Sequence, residues 1–402
     1  MSEATRTGDR ASLPRWPDEA RFRQDPYPDY ARLRAQHPVQ RIAAPGGTPV
    51  WLVTGYAEAR ALLSDARLIK DVRRFGHLSD RRLPPWLNLH MLNLDPPDHT
   101  RLRRLVSKVF TVRRVEELRP RVETITGDLL DAMAARHEGD LLDLFAFPLP
   151  ITVICELLGV PVTDQADFRR WSNAVVSGHA ARDQLPEAVE SLTGYITALI
   201  ADKRAAPADD LLSALVAVHD SGDRLSENEL ISMALLLLIA GHETTVNLIG
   251  NGVFHLLTHP DQRALLRGDP GLLPSAVEEF LRYDGPVEIA TVRAAREDLT
   301  IAGATIREGE YVLIGLDAAD RDDAQFAGAD RLDVTRADNQ HLAFGHGIHY
   351  CLGAPLARLE GQIAIGALLR RFPDLALAAP ASELVWRPGL VLRGLARLPV
   401  TY

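Results

Sequence analysis

A long stretch without proline, from Leu225 to Thr258, constrains the fold more than any other part of this sequence. Ser226 and Glu229 form an S-x-x-E capping box, which predicts where its helix begins. A helix of about 31 residues would run roughly 46 Å, long enough to cross a whole domain. Residues Met233–Ala240 are apolar on every face, which predicts a buried central axis, yet this run is too short to span a bilayer.

The middle of that predicted helix contains costly residues, in the string Gly241-His242-Glu243-Thr244-Thr245. Glycine costs about 1 kcal/mol inside a helix, and buried Glu and Thr side chains need hydrogen-bond partners. A fold accepts such costs mainly where function needs them. The alternative is a helix kink in which the threonine hydroxyls bond back to the preceding turn.

A second informative stretch, residues 341–360, brings a single cysteine to the start of another predicted helix. Cys351 follows a glycine-rich loop, and Pro355 suits the first turn of a helix, where its missing N–H costs nothing. Free backbone N–H groups and the helix dipole at such a position favour a thiolate over a thiol. We expect Gly345 and Gly353 to let backbone N–H groups approach the sulfur without steric conflict.

Three interpretations of Cys351 compete. It can be a buried free cysteine that packs as a small hydrophobe. It can be a zinc ligand together with His346 and His349, although structural zinc sites usually draw ligand pairs from separated segments and the sequence has no second cluster. It can also be the thiolate ligand of a redox-active metal, in particular a haem iron.

The whole string that begins at Phe344, F-G-x-G-x-H-x-C-x-G followed by A-x-L-A-R-x-E, resembles the cysteine-ligand loop of cytochrome P-450 haem-thiolate monooxygenases. The resemblance implies that Cys351 is the axial ligand of the iron in haem b. It also implies that Phe344 packs beside the proximal face of the haem, and that the loop backbone, with Gly345 and Gly353, tunes the sulfur.

Two further stretches resemble the parts of that family that hold the haem propionates. DPPDHTRLRRLVSKVF is similar to the family's propionate-binding helix, with His99 and Arg103 in the binding positions. Arg293, in TVRAAREDL, resembles a further propionate ligand, and His349 belongs to the same set. Permanently charged guanidinium groups suit carboxylates that must stay ionised near an apolar ring.

The string A-G-x-E-T-T in the central helix resembles the family's oxygen-activation motif, in which Glu243 and Thr244 relay protons to dioxygen. Glu279 and Arg282 match the family's structural Glu–Arg pair, and Arg331 in GADRLD stands where a second arginine usually falls. The resemblance implies that this pair holds the loop before the cysteine and takes no part in the chemistry.

The resemblance covers essentially the whole chain. It implies a mainly α fold with small β-sheets (α+β), a single domain over residues 1–402 around one haem. The implied activity inserts one oxygen atom from O2 into an unactivated C–H or C=C bond of a small hydrophobic substrate. PLPITVICELLGVP and AGHETTVNLI look most like actinobacterial enzymes that oxidise macrolides and other polyketides. Because the sequence has no flavin or iron–sulfur domain, a ferredoxin and its ferredoxin reductase are the implied electron donors.

Two alternative functions belong to other classes. A haem-binding carrier or sensor would need Cys351 but would have no use for Glu243 and Thr244. A zinc-dependent hydrolase would use His346, His349 and Cys351.

Composition limits the partners and the compartment. The net charge of −9 argues against nucleic acid or an anionic membrane as the main partner. The two cysteines lie far apart in the sequence, which is typical of a reducing compartment, and we expect Cys155 to be a core residue. The N-terminal stretch has no apolar run of the length that a signal peptide or membrane anchor needs, so we expect a cytoplasmic monomer without membrane attachment.

The segment from Val72 to Leu92 is too apolar for a solvated loop and too irregular for a helix, which predicts a flexible lid. Residues 70–82 carry five basic side chains against two aspartates. A cationic amino sugar would meet like charge there, so we expect a neutral or acidic substrate.

Overall fold

A computed structural model describes residues 13–14, 16, 19–71, 85–161, 165–177, 183–220 and 225–402. Within these residues helices predominate over three small sheets, which confirms the predicted mainly α, α+β fold class. Most of the predicted lid, residues 72–84, lies outside the described residues. The helices are, in chain order, α1 (Glu19–Gln24), α2 (Tyr27–Gln36), α3 (Tyr56–Ser64), α4 (Asp98–Val109), α5 (Val112–Glu117), α6 (Arg119–Ala134), α7 (Pro148–Leu158), α8 (Gln165–Ser177), α9 (Leu185–Ala205), α10 (Leu211–Asp220), α11 (Glu227–Thr258), α12 (Pro260–Gly268), α13 (Leu273–Tyr283), α14 (Leu316–Asp320) and α15 (Ala354–Arg371).

The strands form small sheets at the edge of the helical body. The largest sheet has the order β1-β2-β8-β5-β3, in which only β2 and β8 run parallel. Strand β5 carries Arg293, and its neighbour β3 leads directly into Lys70. The strands are β1 (Val39–Ala43), β2 (Pro49–Val53), β3 (Leu68–Ile69), β4 (Glu138–Asp140), β5 (Arg293–Ala295), β6 (Leu299–Ile301), β7 (Ala304–Ile306), β8 (Tyr311–Ile314), β9 (Ala376–Leu377) and β10 (Pro399–Thr401).

Helix α11 is the buried axis that the sequence predicts. Its capping box is complete, because Ser226 Oγ accepts from Glu229 N at 3.3 Å and Glu229 Oε2 accepts from Ser226 N at 2.8 Å. Its length and composition would let it cross a membrane, but 67% of its most apolar window is buried inside the protein. It packs against α7, α9 and α15, which makes it the core helix of the fold.

Gly241 in the middle of α11 has a packing reason that the sequence does not reveal. A Cβ atom at this position would lie 2.8 Å from the side chain of Ile154 on α7. Real Cβ atoms do not approach carbon so closely, so a larger residue here would force the Ile154 side chain to shift. The absence of a side chain at Gly241 thus also contributes to the packing of α11 against α7.

A fully buried carboxylate organises the chain segment that leads to Cys351. Glu279 accepts two hydrogen bonds from Arg282, at 2.7 and 2.8 Å, and both side chains are 0% exposed. Arg336 Nε and Asn339 Nδ2 also donate to Glu279 Oε2, each at 3.1 Å. The carboxylate thus joins α13 to residues 336–339, just before the cysteine loop. A buried charge with this many donors is well compensated.

The prediction that Arg331 is the second arginine of this cluster is wrong. Its side chain is 75% exposed and lies 3.4 Å from Asp333. Its backbone carbonyl, instead of its guanidinium, faces the cluster and accepts from Arg282 at 3.2 Å. Five residues later, Arg336 turns its side chain inward and is 10% exposed.

We expect Arg336→Ala to lower the free energy of unfolding by roughly 1–3 kcal/mol, because it removes one donor from a buried carboxylate. Arg331→Ala is the matched control and should change it by no more than about 0.5 kcal/mol, as for an exposed side chain. Urea unfolding of both variants measures the difference. Equal losses for the two variants would contradict the assignment of Arg336.

Candidate active site

A cavity of about 540 Å³ lies between α11 and the loop that carries Cys351. All the site residues predicted from the sequence line it, although they come from four separate segments of the chain. These residues are His99, Arg103, Glu243, Thr244, Arg293, Phe344, Gly345, His349, Cys351 and Gly353. The second cysteine, Cys155, is 0% exposed and lies in the hydrophobic core, as the sequence predicts.

The cysteine loop turns tightly before α15. Cys351 N donates to Phe344 O at 2.9 Å, which closes the loop. Gly345 has a φ of +72°, which other residues rarely adopt, and its N–H donates to Leu342 O at 2.7 Å. The expectation that the Gly345 N–H approaches the sulfur is therefore wrong, and conformation explains this glycine instead. The backbone N–H groups that do act on the sulfur belong to Gly353 and its successor, at the start of α15.

Burial raises the pKa of the Cys351 thiol, whereas the N–H groups of Gly353 and Ala354 and the charge of Arg103 lower it. Burial prevails, so the helix N-terminus alone does not make the thiolate that the sequence suggests. A bound metal cation would overcome this burial, because a coordinating thiol loses its proton outright. The sulfur faces the cavity, where a flat metal-bearing cofactor would lie.

Five basic side chains line the cavity near the cysteine loop: Lys70, His99, Arg103, Arg293 and His349. The His99 and His349 rings lie 4.4 Å apart, and both ring nitrogens of His99 are buried without a hydrogen-bond partner. Arg293 is 4% exposed, and its recorded hydrogen bond is a long one, 3.4 Å to Thr291 O. No carboxylate of the described residues forms an ion pair with any of these five groups.

The pKa shifts of this cluster show the cost of burying so much positive charge. Burial, followed by the charges of Lys70 and its neighbours, lowers the pKa of His349 to about 2. Burial likewise lowers the pKa of Arg293 to about 10 and that of Lys70 well below its ordinary value. A ligand with two carboxylates would reverse these shifts. The propionates of haem supply two such groups, so the residues fit the cofactor that the resemblance implies.

Lys70 is a residue that sequence analysis missed at this site. The sequence places it at the start of a lid, but the structure buries it at 4% exposure beside Arg293. Pairing of β3 with β5 aligns Ile69 with Ala294 and so brings the two basic residues together. The available signal was a lysine directly after the apolar pair Leu68-Ile69, where a buried strand ends.

Glu243 and Thr244 face different partners. Thr244 Oγ1 donates to Ala240 O at 3.1 Å, the back-bonding that the kink interpretation expects, yet α11 continues unbroken. Glu243 Oε2 accepts from Arg387 Nη1 at 3.2 Å, and its side chain is 2% exposed. Burial raises the pKa of Glu243, but the hydrogen bonds and charges of His242 and Arg387 lower it by a larger amount. The net pKa lies below the ordinary value, so the carboxylate is ionised. Sequence analysis missed Arg387, which lies 144 residues away in the chain.

The rest of the cavity wall is apolar. Glu243 is the one carboxylate among its described lining residues, and it is already paired with Arg387. The apolar wall includes Leu235, Ile239, Ala290, Val391 and Leu392. Such a surface suits a hydrophobic molecule with few charged groups.

A zinc site finds no support here. His346, His349 and Cys351 all line the cavity, but the described residues contain no group of three His, Cys, Asp or Glu side chains placed to hold a metal ion together. Three protein ligands are the minimum for zinc.

Asp320, at the end of α14, holds the start of the cysteine loop. Its Oδ1 accepts from Leu342 N at 2.7 Å, while its buried Oδ2 has no partner. Burial raises the pKa of Asp320 to about 7. The loop is therefore anchored by a carboxyl group that is protonated over much of the acidic range.

Known proteins resemble the chain over almost its whole length. Residues 271–376 match the family described as Cytochrome P450. Vitamin D(3) 25-hydroxylase of Pseudonocardia autotrophica is 53% identical over 382 residues, covering 94% of this chain and 94% of that protein. 6-Deoxyerythronolide B hydroxylase of Saccharopolyspora erythraea is 48% identical over 391 residues, covering 94% and 96%.

Solved structures give the same result. The structure of the tirandamycin C-bound P450 monooxygenase TamI superposes with a TM-score of 0.89 at 49% sequence identity. The match covers 96% of this chain and 99% of that one. Fold and sequence therefore agree along the chain, and the likeness is not limited to the motifs.

We expect Asp320→Asn to stabilise the protein more at pH 8 than at pH 4. The folded-state pKa of about 7 lies above the ordinary value of 3.8, so the wild type loses stability as pH rises from about 4 to about 7. The amide keeps an acceptor for Leu342 N and removes this loss, which is on the order of a few kcal/mol. Urea unfolding across this pH range measures it, with the exposed Asp338→Asn as control. A pH-independent difference between Asp320→Asn and wild type would contradict the assignment.

Proposed function

The chain belongs to the cytochrome P450 family of haem-thiolate monooxygenases. We propose that it binds a macrolide- or polyketide-type molecule in its cavity and oxidises it there. Its cofactor is haem, and dioxygen is the co-substrate. The observation that carries the proposal is that Cys351, an uncompensated cluster of buried cations and the pair Glu243–Thr244 meet around one cavity. A carrier or sensor would have no use for that pair.

Haem, when bound through Cys351, supplies the redox chemistry that activates dioxygen. The protein's own residues would hold it: His99 and Arg103 on α4, Arg293 on β5 and His349 would bind the propionates. Lys70 joins this set because it is buried among them without an ion-pair partner. Phe344 packs beside the proximal face, with the Arg358 guanidinium 4.6 Å from its ring centre. Gly345 and Gly353 give the loop the shape that keeps the sulfur in place.

Glu243 and Thr244 deliver protons on the opposite side of the cavity. Thr244 presents its hydroxyl near the cavity surface, and Glu243 holds its carboxylate behind it. Within the described residues the two side chains share no direct hydrogen bond, since each has other partners. A proton must therefore pass from Glu243 to the hydroxyl through a rotation of the carboxylate or through an ordered water.

The substrate class follows from the cavity and from the relatives. Several relatives of this chain are named for macrolides or polyketides, and one is named for vitamin D(3). The described cavity wall offers no free carboxylate to a cationic amino sugar, because Arg387 already neutralises Glu243. A neutral or acidic substrate is therefore favoured.

Small redox partners supply the electrons, and we assign this role to a ferredoxin with its reductase. Helices α4 and α5 present basic side chains outward, among them Arg104 and Arg113, the latter 87% exposed at its side chain. The same α4 turns His99 toward the cavity, so this surface lies close to the cofactor. An acidic partner would be steered to it. The single domain over residues 1–402, the monomeric state and the cytoplasmic location stay predictions.

We expect Cys351→Ser to abolish the red-shifted Soret band of the ferrous carbonyl complex, because the serine oxygen cannot replace the thiolate donor. Cys155→Ser is the control and should keep the band, since Cys155 lies in the core away from the cavity. Absorption spectra of both variants decide the point. A wild-type spectrum from Cys351→Ser would place the ligand elsewhere.

We expect a neutral macrolide aglycone to bind at least about tenfold more tightly than the same ring carrying an amino sugar, equivalent to about 1.4 kcal/mol. Substrate-induced shifts of the Soret band measure both affinities. A glycoside with a neutral sugar of equal size separates charge from bulk. Tighter binding of the amino-sugar compound would refute the predicted charge preference.

A further inference from the structure

We propose that His242 and Glu243 share one proton, and that His242 passes it to Glu243 during turnover. The proposal rests on the role of Glu243 as a proton donor. Each dioxygen consumed by a monooxygenase takes up two protons. A carboxylate that is ionised at rest therefore needs a neighbouring group that can reload it.

One ring nitrogen of His242 must carry a hydrogen. Nδ1 lies 2.8 Å from the backbone carbonyl oxygen of Leu238, one turn earlier in α11. A carbonyl oxygen can only accept, so Nδ1 is the donor. The ring is 0% exposed and lies at the edges of Phe147 and Phe168, with centroids 5.7 and 6.1 Å away, which fixes its orientation.

The other ring nitrogen then meets a second acceptor. His242 Nε2 lies 3.4 Å from Glu243 Oε1, and that oxygen is buried without a hydrogen-bond partner. If His242 were neutral, its Nε2 could accept a hydrogen bond from the Ser172 hydroxyl, but the buried Glu243 Oε1 would have no donor. A single proton between Nε2 and Oε1 turns this contact into an attraction. Ser172 Oγ, 3.2 Å from Nε2, is neutral and balances no charge.

Arg387 determines whether His242 or Glu243 holds the shared proton at rest. Its guanidinium donates to Glu243 Oε2 at 3.2 Å and so stabilises the carboxylate form. The shared proton therefore rests on His242. The ionisable groups around the imidazole are Glu243 on the same helix and, beyond it, Arg387. Ser172 on α8 and the two phenylalanine rings complete its surroundings without adding charge.

The transfer itself balances simply. The Nε2–H bond of His242 breaks and an Oε1–H bond forms on Glu243, which leaves a neutral imidazole and a carboxylic acid. Glu243 then gives this proton up through Thr244. A proton taken up from water then restores the protonated form of His242. His242 is thus a positioning and reloading residue that acts through Glu243.

The resting state is tested by nitrogen NMR of the holoenzyme with labelled histidine, in its diamagnetic ferrous carbonyl form at pH 7. The His242 signals are assigned by their loss in His242→Asn. We expect both ring nitrogens of His242 to be protonated in the wild type, and Nε2 to be unprotonated in Glu243→Gln, where no carboxylate remains. A neutral His242 in the wild type, or a doubly protonated one in Glu243→Gln, would overturn the shared proton.

The turnover role is tested by the ratio of product to NADH consumed. His242→Asn keeps a donor for Leu238 O but lacks Nε2, and we expect about a tenfold loss of coupling with haem content and substrate affinity unchanged. His259→Asn is the matched control, because His259 Nδ1 makes the same contact to His255 O, at 2.9 Å, and Nε2 has no ion pair with a described carboxylate. It should retain wild-type coupling.

His242→Gln provides the second variant, since its amide can hydrogen-bond to Glu243 but cannot transfer a proton. It should uncouple as His242→Asn does, whereas a purely structural role predicts rescue. Unchanged coupling in both His242→Asn and His242→Gln would contradict the proposed proton transfer from His242 to Glu243. If the wild type oxidised no substrate at all, the proposed function would fail, while the NMR result would still decide where the proton lies.

Discussion

Positive charge that is buried without a counter-ion from the protein is the constraint on which the active-site end of this molecule depends. Burial lowers the pKa of Lys70, Arg293 and His349, and it leaves both nitrogens of His99 without partners. Asp95 offsets only part of this cost, because no carboxylate of the described residues lies within ion-pair distance of these groups. The two carboxylates of the proposed cofactor would offset the rest. Binding of haem therefore stabilises the folded state, and loading and completion of the fold are thermodynamically linked.

Structural features that depend on residues close together in the sequence could be predicted. The capping box gives the start of α11, and the glycine-rich string gives the loop of Cys351 with its helix. The spacing of His99 and Arg103 puts both on one flank of α4 and into the cavity. Each of these depends on residues within a few turns of one another. Backbone periodicity and resemblance are sufficient to place such residues.

Contacts between distant segments could not be predicted in the same way. Arg387 reaches Glu243 across 144 residues, and Arg336 reaches Glu279 across 57. Arg336 turns inward and Arg331 outward because of the path of the loop between them. The position of an arginine in the sequence does not predict that path. Gly241 is a further example, since the side chain that it packs against, Ile154, belongs to another helix. Such residues are recognised only once the packing is known.

The C-terminal loop has a consequence for how enzymes of this kind diverge. Val391 and Leu392 line the cavity, while the next residue, Arg393, is 5% exposed and donates to Asp284 Oδ1 at 2.6 Å. Arg393 also donates to Arg23 O at 2.9 Å, so it ties the loop base to the N-terminal region. Adjacent residues thus have different roles, since Val391 and Leu392 shape the cavity and Arg393 holds the loop in place. Substitutions of Val391 or Leu392 can therefore change which substrates fit the cavity, while Arg393 keeps the loop attached to the rest of the protein.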